Sequence, residues 1–368
     1  MDKENKIVEI LEDFWPKNKA KGLFAQTVFL QEMEENKFGS YAKEKIFPSC
    51  WLIAPKTEDF YKFRFCFFVH PKVVGTDILT NNIRDYLGEK YRPFYAIAEF
   101  MNTAGIGIIY VIAHTKNEIL PLDEMIEAIK EKKLENIGIN WHFFSFENDR
   151  FVTKDPVEFF EKWEGNRGRP SHGSGWDPDV KDKIKKLDDK TLTELLLNEM
   201  FYTGLVKGTL KKPLNDPYDV DSFLMTISQK HIFPMEIKEK FPGQNGNEQF
   251  FGIDAGRIMM LLRLCIPNDA NAIYLVREMD EKGKFIGWKY ITLSDIIMTS
   301  SWNLQAGGPG MGGQSTQTIR LPYKYFKEFN EGELSEENLE KIGNLPKDIK
   351  ERARDFGAEL SSRFHGVR

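Results

Sequence analysis

The sequence predicts an N-terminal α+β domain over residues 1–163, a linker over 164–179 and an α/β domain over 180–368. Three observations carry this division. Helical, then strand-like, then helical and hairpin signals follow one another in the first 163 residues. The stretch Glu164-Gly165-Asn166-Arg167-Gly168-Arg169-Pro170-Ser171-His172-Gly173-Ser174-Gly175 is rich in Gly, Ser and Pro and has no apolar period. Beyond residue 180 the signals run helix, strand, strand, helix, strand. A chain of 368 residues suits two domains, and an apolar fraction of 41% with 29 Phe allows sizeable cores.

In the first domain, Ile7, Ile10, Leu11 and Phe14 keep helical spacing until Pro16, and a second amphipathic stretch runs from Phe24 to Met33. Residues 50–54 and 63–69 have strand composition. Phe94–Phe100 and Gly107–Ile112 read as a further strand pair about the turn residues 101–105. Pro121 opens a helix over 122–133. Trp141–Phe146 and Arg150–Thr153 read as a hairpin about Asn148-Asp149, and residues 156–163 as a short helix. No catalytic constellation stands out here. By elimination the domain is assigned to recognition of DNA, a partner or a small activator.

The net charge of −5 gives no global basic signal, so binding to nucleic acid would need a local basic cleft or a bridging metal. Cys50, Cys66 and Cys265 lie in separate apolar runs, which reads as reduced core cysteine without zinc or disulfide spacing. The charged start Met1-Asp2-Lys3-Glu4-Asn5-Lys6 lacks the apolar core of a signal peptide, and the longest apolar run, 104–113, is too short to span a bilayer. The expected location is the cytoplasm.

In the second domain, residues 180–202 read as one long helix carrying Glu194 and Glu199. Residues 219–227 and 232–240 then read as a β-hairpin about Ser228-Gln229-Lys230-His231. Side chains alternate along a strand, so Glu236 and Lys238 share a face while Ile237 takes the other. Pairing brings Asp221 beside Glu236. Glu-x-Lys is a common tripeptide on solvated strands, but Phe233, Met235 and Ile237 make this strand interior, where carboxylates need a partner or a metal. Two carboxylates and an amine suit a hard divalent cation with a point positive charge beside it.

Asp221 and Glu236-x-Lys238 after an apolar run resemble the PD-(D/E)xK nuclease superfamily, the restriction-endonuclease-like fold, over about a third of the chain. The family's Pro-Asp pair is not present as such, since Pro217 stands two residues before Asp219. Asp219 and Asp221 are both open as the ligand, with Asp221 preferred because the apolar strand follows it directly. The resemblance implies a central mixed sheet flanked by helices, and Asp221, Glu236 and Lys238 as catalytic residues. It implies Mg²⁺ held by Asp221 and Glu236, with a backbone carbonyl near Ile237 and a glutamate from the preceding helix, for which Glu199 is chosen over Glu194. The implied substrate is double-stranded DNA, cut by a homodimer because each site cleaves one strand, as in a type II restriction enzyme. Two alternatives stand beside it: a defence nuclease switched on by a small molecule or partner, and a non-catalytic DNA-binding protein.

Further residues are candidates for contact with DNA. Arg167-Gly168-Arg169-Pro170 resembles an AT-hook core, in which Arg side chains enter the narrow minor groove, though the flanking basic residues are absent. Arg257 and Gln249 lie about the start of an apolar helix capped by Asp254; Arg257 reads equally as a phosphate ligand or as a partner of a carboxylate. The Gly-rich run 302–318 lacks the Lys of a Walker loop, and its Gln305, Gln314 and Gln317 are candidates for base edges. The tail 335–364 reads as charged helix broken at Pro346.

Overall fold

The computed structural model describes residues 3–14, 17–53, 64–116, 122–130, 138–161, 163, 176, 178–212, 218–299, 304–305 and 318–365. The chain forms two compact units, Met1–Thr27 with Cys50–Asp219, and Val28–Ser49 with Val220–Arg368. The division differs from the linker read at 164–179. Val180, Ile184, Leu187 and Leu192 share a buried cluster with Ile7, Val8 and Leu11, so residues 178–199 pack with the N-terminal helices.

The first unit holds α1 (Lys3–Phe14), the start of α2 (Lys17–Glu34) and the second half of β1 (Ile46–Ile53). It continues with β2 (Phe65–Val69), β3 (Val74–Gly75), α3 (Arg84–Leu87), α4 (Tyr91–Thr103), β4 (Gly107–Thr115) and α5 (Leu122–Lys130). Next come β5 (Ile139–Glu147), β6 (Arg150–Lys154), α6 (Pro156–Glu161), α7 (Pro178–Lys185) and α8 (Asp189–Glu199). Its sheet is mixed, in the order β1-β2-β4-β5-β6, with β2 parallel to β4 and the other neighbours antiparallel. Asn148 and Asp149 turn β5 into β6 with φ of 49° and 60°, the left-handed pair that a two-residue hairpin needs.

Two sequence expectations are corrected here. Phe94–Phe100 is not a strand but the middle of α4. Phe94, Ile97, Ala98 and Met101 recur at helical spacing and are all buried, so periodicity outweighs the aromatic composition. Residues 180–202 are not one helix. α7 ends at Lys185, Asp188 caps α8 by accepting from Thr191 N–H at 2.7 Å, and the chain turns π-helical over Met200–Thr209. α4 covers one face of the sheet, where Phe94 meets Phe68, Tyr110 and Phe151. On the other face Phe67 packs against Phe143, Phe159, Phe160 and Phe201.

The second unit adds β7 (Tyr218–Met225), β8 (Ile232–Lys240), β9 (Gly243–Asn245), β10 (Glu248–Asp254), α9 (Ala255–Cys265), β11 (Ile273–Met279) and β12 (Phe285–Thr292). It ends with α10 (Leu293–Thr299), β13 (Leu304–Gln305), β14 (Thr318–Pro322), β15 (Lys327–Glu328), α11 (Glu336–Ile342) and α12 (Lys347–His365). One mixed sheet runs β15-β12-β11-β8-β7, and a smaller antiparallel sheet runs β13-β14-β10-β9. β8 and β11 are parallel, which requires a long connection, and β9, β10 and α9 supply it. The earlier segment 28–49 belongs here through its contacts. Phe29 packs on Trp288 and Phe329, Trp288 Nε1 donates to Glu32 at 2.8 Å, and Lys45 reaches Leu334 O and Glu336. Among the described residues no helix is long and apolar enough to cross a membrane.

Two stability tests follow from the first unit. Phe67 is completely buried among four aromatic rings, so Phe67→Ala is expected to cost about 3–5 kcal/mol, read by denaturant unfolding. His70 donates to or accepts from Tyr110 Oη at 2.8 Å, and burial, with Lys72 adding, pushes its imidazole down to about 4. The unfolded chain then binds more protons between about pH 6.5 and pH 4, so stability falls as pH drops through that window, by about 3 kcal/mol from this residue. His70→Gln is expected to flatten that part of the pH–stability curve.

Candidate active site

The hairpin β7–β8 pairs Ser222 with Met235, Phe223 with Pro234, Leu224 with Phe233 and Met225 with Ile232. One step beyond this ladder Asp221 and Glu236 come side by side. There the Asp221 side chain takes up the backbone: its Oδ2 accepts from Ile237 N–H at 2.6 Å. Lys238, two residues past Glu236 and on the same face, sets its Nζ 2.7 Å from Glu236 Oε1 and 3.4 Å from Asp221 Oδ2. Asp221, Glu236 and Lys238 are thus brought together.

Arg257 joins them from α9. Asp254 caps that helix, its side chain accepting from Gly256 N–H at 2.7 Å, and the first turn carries Arg257 Nε to 3.4 Å from Glu236 Oε1. Of the two roles open to Arg257 from the sequence, pairing with a carboxylate is the one present. Burial pushes the Asp254 carboxyl up, and the Glu236 charge adds to this while Gly256 N–H and Arg257 oppose it.

Glu236 is 0% exposed. Its two cations lie close without hydrogen-bond alignment, so they hold it by charge, and Oε2 has no hydrogen-bond partner among the described residues. An orphaned carboxylate oxygen beside a second carboxylate suits a hard divalent cation, and the donor set of Asp221 and Glu236 fits Mg²⁺. Among the described residues there is no cluster of three or more His, Cys, Asp or Glu able to hold a metal. The remaining ligands of such a cation would come from backbone, water and substrate, as Mg²⁺ ordinarily takes them.

The sequence reading missed three neighbours. Parallel pairing of β8 with β11 sets Tyr274 beside Glu236 and Glu278 beside Lys240. Tyr274 is buried, its Oη donates to Gly252 O at 2.9 Å, and burial with the Glu236 and Asp221 charges pushes its phenol far up. Lys240 Nζ donates to the same carbonyl at 2.5 Å. Burial, then Lys238, pushes this ammonium down to about 8, against the pull of Glu236 and Asp254. Glu278, buried, accepts from Tyr323 Oη at 2.9 Å. Lys240 keeps the strand period of Glu236 and Lys238 and was legible; Tyr274 and Glu278 needed the register of a parallel partner far along the chain.

The other candidates belong to other parts of the chain. Glu199 is buried at the end of α8 and, like Glu194, belongs to the first unit, whereas the Asp221–Glu236 pair belongs to the second. Gln249 is exposed on β10, opposite Gln244 of β9. Gln305 pairs through its backbone with Thr318. Arg167, Arg169, Gln314 and Gln317 lie outside the described residues. No family model matches the chain, and no curated protein and no solved structure matches it.

Asp221→Ala would leave the buried Ile237 N–H without its acceptor. The expected loss is about 1–3 kcal/mol in denaturant unfolding, with a smaller loss for Asp221→Asn, which retains an acceptor.

Proposed function

We propose that the second unit carries the active site of a Mg²⁺-dependent endonuclease that hydrolyses DNA phosphodiester bonds. The observation behind this reading is the buried Glu236 carboxylate, with an unbonded oxygen, next to Asp221 and bridged to it by Lys238. The chain order α8, β7, β8, α9, β11 also resembles the restriction-endonuclease-like core, with β9 and β10 as additions before α9. The absence of the Pro-Asp pair counts against a close relation.

In this reading Asp221 and Glu236 would hold the cation, helped by a backbone carbonyl near Ile237. The cation supplies charge neutralisation at the scissile phosphate and a more acidic bound water. Asp221 is fixed by Ile237 N–H, so its carboxylate is oriented before substrate arrives. The Lys238 ammonium, held between both carboxylates, would orient the attacking water or steady the negative charge that develops in the transition state. Substrate as double-stranded DNA and action as a homodimer follow from the resemblance, since one site of this kind cleaves one strand. Sequence-specific restriction is the leading form of the activity.

The test is incubation of the purified full chain with plasmid and phage DNA in Mg²⁺ and in EDTA. Discrete fragments in Mg²⁺ alone are expected. Glu236→Gln and Lys238→Ala are each expected to lower cleavage on the order of 10²–10³-fold while circular dichroism stays unchanged. Cleavage kept by either variant at the parental rate would remove the assignment.

A further inference from the structure

Six exposed residues in a row, Gln244-Asn245-Gly246-Asn247-Glu248-Gln249, form the tip of the β9–β10 hairpin. Asn245 pairs with Glu248 and Gln244 with Gln249, so Gly246 and Asn247 alone make the turn. Gly246 supplies the positive φ, 62°, that the first position of such a turn asks for, and a side chain added there would meet nothing within 4 Å. The remaining composition is unusual for a turn: residues 244, 245, 247 and 249 all carry side-chain amides. Gln244 and Gln249 stand directly opposite each other, which puts both amides on one face of the ribbon with Cβ atoms roughly 5 Å apart. β9 is the outermost strand in the order β13-β14-β10-β9. Such an edge is ordinarily blunted with lysine or proline, and the turn itself needs only its glycine. A run of amides serves neither purpose.

We infer that the β9–β10 hairpin is the base-reading element of the second unit: it enters the major groove of duplex DNA, where Gln244 and Gln249 bond adenine. This rests on the nuclease reading above and deepens it by naming the part that reads the substrate. A side-chain amide offers a donor and an acceptor side by side, the complement of adenine N6 and N7, and a two-stranded ribbon fits the width of the major groove. The hairpin is anchored at the carboxylates. Three residues on from Gln249, Gly252 O accepts from Lys240 and Tyr274, and Tyr274 is paired beside Glu236. Three strand residues span about 10 Å, or about three base-pair steps, so the bases read lie about three to five base pairs from the phosphate at Glu236. Cations for the adjoining phosphates stand next to the ribbon. Lys324 lies 3.7 Å from Glu248 in a pair exposed on both sides, which water screens and a phosphate can replace. Arg320, opposite Gly252 on β14, sets its guanidinium over the Phe250 ring, 4.7 Å from the centroid. These two would position the duplex, and the amides would specify its sequence.

The experiment uses the full chain and a library of duplexes with a randomised segment. Bound duplexes are selected in EDTA and sequenced, and the same library is digested in Mg²⁺ and its cut ends sequenced. The parent is expected to enrich adenine at fixed positions by about tenfold or more, the discrimination one bidentate amide contact supplies. The double variant Gln244→Ala with Gln249→Ala, at exposed positions and with unchanged circular dichroism, is expected to lose that enrichment. Gln249→Arg is expected to move the preference at one position from adenine to guanine. Adenine enrichment kept by the double variant, or absent from the parent in both selections, overturns the inference. Cutting in Mg²⁺ without base preference overturns it while the nuclease reading stands. Base preference in the bound pool that the double variant loses, with no cutting in Mg²⁺, removes the nuclease reading and leaves the hairpin as a DNA reader.

Discussion

A carboxylate without access to water organises the second unit. Glu236 is fully enclosed in the middle of a sheet, and an ionised side chain there is tolerated only with opposite charge at hand. The chain meets this demand from two separate places: Lys238 on the same strand and Arg257 on the helix after β10. Each of those elements has to be in register for the enclosed charge to be acceptable. Removing one partner of such an arrangement ordinarily costs about 3–5 kcal/mol, while a well-packed apolar replacement of the whole group is often harmless. Retaining the charges is therefore weak evidence for stability and better evidence for a use.

The carbonyl of Gly252 has a related role. It accepts from both Lys240 and Tyr274, and so ties the small sheet to the face of the larger one that bears the carboxylates. Gly252 sits where an added Cβ would come within 2.8 Å of the Thr318 side chain, so a close approach of β10 and β14 depends on glycine. β10 leads directly into Asp254 and α9. The position of Arg257 is thus set by a strand that is itself held at the site through one peptide group.

Much of this site could be read in the sequence, because its parts are close together in the chain. Asp221, Glu236 and Lys238 span one hairpin, and strand alternation alone puts two of them on one face. The N-cap at Asp254 was visible from the polar residue before an apolar helical run. What escaped reading depended on distance or on competing signals. Tyr274 reaches Glu236 only through a parallel pairing that periodicity does not reveal. Phe94–Phe100 has strand composition, yet its buried residues follow helical spacing in α4. The helix expected over 180–202 breaks at Asp188, a capping residue that sits inside an otherwise continuous apolar pattern. The linker at 164–179 was drawn from composition, whereas the packing units are decided by which apolar side chains find one another, and those of α7 and α8 find α1.

The chain order of the two units carries a consequence for how the protein is made. Residues 28–49 pack with residues 220–368, and residues 50–219 come between them in chain order. During synthesis the first piece of the second unit leaves the ribosome early and must wait for its complement. Phe29 and Lys45 meet Trp288, Phe329 and Leu334 only after the chain as far as residue 334 has emerged. Assembly of the carboxylate-bearing unit is by this arrangement a late event. An N-terminal fragment lacks Asp221 and Glu236, and a C-terminal fragment beginning after the first unit lacks the helix and strand that close its core.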